Sequence, residues 1–178
     1  MKVLMKSLAI VVAVVAFFAI VPVQAQSQTM TDEHVERIKS NCPVALATLG
    51  RIHANDLPQF INSNQTYFSV GDKMMARLNS RLSLNSYDAS QLVKTASEFN
   101  EALRTFRDIY KTYDNTMSEL VHLNCQRTPV TFYDQVANAR QQRGEVHETV
   151  VRLESLIKQY REQVEDFKEQ HLSEEATE

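Results

Sequence analysis

Residues 92–120 read LVKTASEFNEALRTFRDIYKTYDNTMSEL. Within that stretch Leu92, Ala96, Phe99, Leu103, Phe106, Tyr110, Tyr113, Met117 and Leu120 recur at alternating steps of four and three. An α-helix turns once every 3.6 residues, so this spacing gathers all nine on one face, the apolar seam of a coiled coil. Ser86 or Asp88 can cap the start, because a short polar side chain accepts from the orphan N–H groups of a first turn. Cys125 and Pro129 mark the far end, so the pattern predicts a helix over roughly 88–124.

The same rhythm continues on both sides. Beyond Pro129, a good first-turn residue because its missing N–H is not needed there, it runs through Phe132, Val136, Ala139, Arg143, Val146, Val150, Leu153, Ile157, Tyr160, Val164 and Phe167. On the N-terminal side the seam reads Leu57, Ile61, Asn64, Phe68, Gly71, Met75, Leu78 and Leu82, with residues 83–87 as the loop. Upstream, Ala45, Leu49 and Ile52 lead into Asn55-Asp56-Leu57-Pro58, where the proline is expected to kink or interrupt the helix and Asn55 or Asp56 to re-cap it. Val35 and Ile38 keep the spacing, so residues 31–41 read as a short lead-in helix and Asn41-Cys42-Pro43 as a restart.

The fold class expected is all-α: an elongated up-down-up antiparallel three-helix bundle or coiled coil with a short N-terminal lead-in helix. Three segments of nearly equal length, each about 55–60 Å as continuous helix, would then lie side by side and bring Cys42 and Cys125 to one end. Counting from that end pairs residues by height. Gly71 and Ala96 each lie 29 positions from a cysteine, so two small residues are expected at one level. Asn64 and Arg143 are the two polar breaks in the seams; Arg143 lies 14 positions past Pro129 and Asp56 lies 14 past Cys42, which suggests a buried polar pair, Asp56 with Arg143, near the Pro58 kink.

The N-terminus reads as an export signal. Lys2 and Lys6 precede an unbroken apolar run from Leu8 to Val21, Pro22 breaks it, and Val23-Gln24-Ala25 offers small residues for cleavage after Ala25. An uncleaved anchor is the competing reading. Through Val23 the segment has 16 residues, fewer than the roughly 20 that span a bilayer, so membrane association is expected only through this segment if it is kept. The organisation expected is thus 1–25 signal peptide, 26–41 lead-in segment, 42–171 helical bundle domain and 172–178 acidic disordered tail.

Loss of Lys2 and Lys6 moves the net charge from −3 to −5. That balance is mild and mixed in sign, which speaks against nucleic acid as a partner. In the oxidising compartment implied by export, the only two cysteines, Cys42 and Cys125, are expected to form one structural disulfide. The sequence holds no Cys-x-x-C, no His-Glu-x-x-His, no Gly-x-Ser-x-Gly and no glycine-rich phosphate loop, and its single Glu-x-x-His, Glu119 to His122, falls short of the two that a di-iron bundle site needs. The histidines 34, 53, 122, 147 and 171 fall at no metal-ligand spacing and read as solvated face residues. Asn64-Gln65-Thr66 is a glycosylation sequon, relevant in a eukaryotic secretory host.

No catalytic residue, metal or cofactor is therefore expected. The reading is an exported, non-enzymatic bundle, secreted, periplasmic or in the cell envelope, that acts through contact with a protein partner or as a homo-oligomer. The alternative is a carrier or holdase-type chaperone that takes apolar ligands or unfolded chains between its helices. A bridge from Cys42 to Cys125 closes a loop for which chain entropy alone gives at most about 4 to 5 kcal/mol, a large share of a domain's roughly 5–15 kcal/mol. Reduction should lower the melting temperature clearly, and an unchanged melt in strong reductant would remove the structural role assigned to the bridge.

Overall fold

The computed structural model describes residues 30–171. The expected signal peptide, residues 26–29 of the lead-in segment and the acidic tail lie outside the described residues. The chain is all-α, with no strand among the described residues. Its elements are α1 (Asp32–Phe68), a π-helical segment (Ser69–Met75), α2 (Ala76–Leu84), α3 (Ser90–Leu120) and α4 (Pro129–His171). The first three follow one another without a gap and form one rod, which packs with α3 and α4 as a bundle of three.

α3 carries the core. All nine residues of its seam are buried, with Phe99, Phe106, Met117 and Leu120 at 1 % exposure or less. Two apolar clusters form along it: one around Phe99, Phe106, Leu153 and Leu156, the other around Tyr113, Met117 and Leu120 beside the cysteines. Phe60 and Val146 pack against both clusters and join them. α3 is shorter than its pattern suggests. Asp88 Oδ1 accepts from Ser90 N at 3.0 Å in the first turn, whereas Ser86 takes a positive φ of 60° in the preceding turn.

Two expectations for the first rod are corrected. α1 runs unbroken through Asn41-Cys42-Pro43, so there is no separate lead-in helix and no restart, and it is equally continuous through Pro58. Both prolines occupy exposed positions. The carbonyls that lose an N–H donor there can turn to water, which lowers the penalty of an interior proline. Thr31 caps the helix, its hydroxyl accepting from His34 N at 3.4 Å.

The second correction concerns register. Leu57, Ile61 and Phe68, placed on the seam by the heptad count, are exposed, while Phe60 and Tyr67 pack inward. Downstream, Gly71, Met75 and Leu82 are buried as the count requires. The π-helical segment lies between the two registers. A π turn contains one residue more than an α turn, so Tyr67, Gly71 and Met75, four apart twice over, stay on one face. A heptad extended upstream through this segment is therefore out by one residue.

Gly71 lies close to α3, against Phe99 and Asn100 rather than level with Ala96. A Cβ added there would sit 2.9 Å from Asn100 Oδ1 and 3.2 Å from the Phe99 ring, whereas one at Gly144 would meet nothing within 4 Å. Gly144→Ala should thus raise stability by about 0.5–1 kcal/mol through helix propensity alone. Gly71→Ala should cancel that gain or reverse it, because the buried Phe99 ring has little room to yield. Chemical denaturation of the two variants checks the contrast; equal stabilisation of both would show that the close approach is not real.

Candidate functional site

The two cysteines come together at one end of the bundle, with Cα atoms 5.7 Å apart and the sulfurs paired, and no free cysteine remains. Both are buried, beside Tyr113, Met117, Leu120 and Phe132. This pair is compatible with an oxidising compartment. No helix among the described residues is long and apolar enough to cross a membrane.

Fourteen residues along α1 from Cys42, the structure brings Asp56 and Arg143 together. Arg143 donates from Nε to Asp56 Oδ2 at 2.9 Å and from Nη2 to Oδ1 at 3.1 Å, a two-pronged guanidinium–carboxylate pair. Sequence reasoning missed a third member. Tyr113 donates its hydroxyl to the same Oδ2 at 2.6 Å, so helices α1, α3 and α4 all meet at one carboxylate. Its position on the α3 seam marks Tyr113 as a packing residue, and no spacing signal points to the bond. Burial pushes the Asp56 carboxyl up, but the bonds from Arg143 and Tyr113 outweigh it and hold the group below the usual aspartate range.

One turn away, His53 Nε2 lies 2.7 Å from Asp114 Oδ1. Its side chain is only 21 % exposed, so His53 is a partnered, half-buried residue rather than a solvated one. Tyr110 lies between the two groups. Its ring stacks on Phe60 at 3.6 Å, and burial, followed by the charges of Asp114 and Asp56, pushes its phenol up to about 12. The Tyr110 hydroxyl is buried and has no hydrogen-bond partner among the described residues. Asp56, Phe60, Tyr110, Arg143 and Val150 line a groove of about 290 Å³ at this level.

Asn64, the other polar break in the seam, accepts from Arg107 Nε at 2.6 Å. The Arg107 guanidinium lies 6.0 Å from the centre of the Phe68 ring. Asn64-Gln65-Thr66 thus sits inside α1 with its asparagine engaged. The α1 face that the heptad count had placed inward forms a second feature. Leu57, Ile61 and Phe68 are 43 %, 43 % and 48 % exposed, and residues 57–71 contain no Asp, Glu, Lys, Arg or His. At the far end of the bundle Tyr160 Oη donates to Asn79 Oδ1 at 2.7 Å, with the Met75 carbonyl 3.2 Å away. Among the described residues no group of three or more His, Cys, Asp and Glu side chains could hold a metal ion.

Arg143→Leu leaves Asp56 with one of its two partners. The arginine side chain is 59 % exposed, so the loss should be moderate, about 1–2 kcal/mol, and a stabilised variant would show that the pair contributes nothing. Because the folded carboxyl titrates below its ordinary value, its contribution is present above about pH 4 and fades as pH falls through the folded value. Asp56→Asn should flatten that part of the acid melting curve, and an unchanged acid limb would place the titrating group elsewhere. The chain matches no protein-family model, no curated protein and no solved structure.

Proposed function

We propose that this chain is an exported, non-enzymatic helical bundle that works through protein contact, in the cell envelope or outside the cell, as an adaptor, spacer or subunit of a larger complex. The observation that carries the reading is the outer face of α1. In a chain with 23 % charged residues, a surface helix that runs from 57 to 71 without a charge while exposing Leu57, Ile61 and Phe68 is out of keeping with a face selected only for solubility. Apolar residues at helical spacing on such a face suit the groove of a partner or the matching face of a second copy.

The scaffold we propose for that face is an up-down-up antiparallel arrangement. Its support is the order of pairings: Cys42 with Cys125, Asp56 with Tyr113, Tyr67 with Phe106 and Asn79 with Leu92, so that numbers on α3 fall as those on the first rod rise. Along α4 they rise together, from Asp56 with Arg143 to Asn79 with Tyr160. Export rests on the signal-like N-terminus and on the paired cysteines. A second reading, a carrier for apolar ligands, is supported by the groove beside Tyr110.

A photo-crosslinking side chain at position 61, in cells that make the protein, tests the contact reading against the same group at position 158 on the charged face of α4. Adducts to another protein at position 61 and not at position 158 support an adaptor, and adducts between copies support an assembly subunit. Equal or absent adducts at the two positions overturn α1 as the working surface.

A further inference from the structure

We propose that the groove between α1 and α4 binds a small amphiphilic carboxylate, its apolar body against Phe60, Val146 and Val150 and its acidic group at Arg143. The inference rests on the carrier reading and deepens it by naming a ligand class. It leaves the contact surface aside, since Asp56, Gln59, Phe60 and Ser63 line the groove while Leu57, Ile61 and Phe68 do not.

The volume is the first observation. At about 290 Å³ the groove falls at the small end of ligand sites, which run from about 300 to 1,000 Å³. It therefore suits a compact molecule and is too small for an unfolded segment. The walls are the second: Phe60 and Phe106, with ring centres 5.2 Å apart, form an aromatic floor, and the half-buried Val146 and Val150 face it from α4. An apolar body has surface to lose there.

Charge decides the head group. Asp56 is the only acid that lines the groove, and both of its oxygens already accept hydrogen bonds. Arg143 has spent Nε and one Nη2 proton on that pair; its remaining donors stand at the rim, where the side chain is largely exposed. His147, one turn further along α4, lines the same rim. Asp114, the other acid close to Tyr110, does not line the groove and is hydrogen-bonded to His53, so an anion meets donors with no unpartnered acid opposing it.

Tyr110 supplies an independent pointer. The residue is 5 % exposed and lines the groove, yet its hydroxyl has no hydrogen-bond partner among the described residues. Buried polar groups in folded proteins are almost always paired, and one left without a protein acceptor in a ligand-sized groove marks a place for one. A carboxylate brings two acceptor oxygens, one for the remaining Arg143 donors and one for the Tyr110 hydroxyl.

Isothermal titration of octanoate into the purified, oxidised chain tests the site, with octan-1-ol as the uncharged control. Saturable binding of octanoate, about tenfold tighter than octanol, is the expected result. Val150→Trp, which fills the groove from its wall, should weaken octanoate by tenfold or more. Tyr110→Phe, which keeps the ring, should weaken it severalfold while the unliganded melting temperature stays level or rises, and it serves as the readout if the tryptophan variant does not fold. Equal affinity for octanol overturns the anionic head group, and undiminished binding by both variants overturns the location. If octanoate fails to bind, the inference is overturned, and uptake of a hydrophobic dye by the folded chain would then still support the wider carrier reading.

Discussion

Burial of the α3 strip from Leu92 to Leu120 sets the terms for both other rods. Each large side chain removed from water there contributes about 1.5–3 kcal/mol, and eight of them in one row with Ala96 leave no slack along the strip. The first rod and α4 must each present a matching surface over its whole length. Apolar packing supplies strength but tolerates sliding, since one seam residue resembles the next. A carboxylate that needs its donors does not tolerate sliding. Asp56 held by Tyr113 and Arg143 therefore fixes the heights of three helices at once, in the way a single polar residue sets register within a coiled coil.

The first rod answers to two demands that a regular helix does not meet together. Near the cysteines its inward face is set by Cys42, Asp56 and Phe60, and near the opposite end by Met75 and Leu82. The π-helical segment at Ser69–Met75 takes up the difference between the two phases. It brings the Gly71 backbone against Phe99, where a side chain would not fit. Tyr160 secures the end of the segment through Asn79 and the Met75 carbonyl. The irregularity is thus supported from α3 and from α4.

This division also explains what could be read in the chain alone. The seams of α3 and α4 each keep one register throughout, with Arg143 the single polar member on α4, and Leu156 is the one fully buried residue of α4 that the strict spacing passes over. Pro43 and Pro58 signalled breaks that burial overrides, since both face outward. α1 misled for a different reason: Leu57, Ile61 and Phe68 make as good a seam on paper as Asp56, Phe60 and Tyr67, and a pattern of apolar spacing cannot tell a core from an exposed stripe. Asp56 and Arg143 could be paired by counting residues from Cys42 and Pro129. Tyr113 and the His53–Asp114 pair could not, because a hydroxyl on an apolar seam and a lone histidine carry no spacing signal.

The bridge between Cys42 and Cys125 also determines how the molecule would respond to force. The two residues are 83 positions apart in sequence but have Cα atoms 5.7 Å apart. A pull on the two ends of the chain passes through that short link and bypasses everything between. At about 3.4 Å per extended residue, some 280 Å of contour length is withheld from the load. α4, which lies beyond the link, would peel away first, and the looped part of the bundle would carry no tension until the sulfur–sulfur bond was cut. Oxidation thus makes the chain a tether of limited extension, and reduction would release its hidden length.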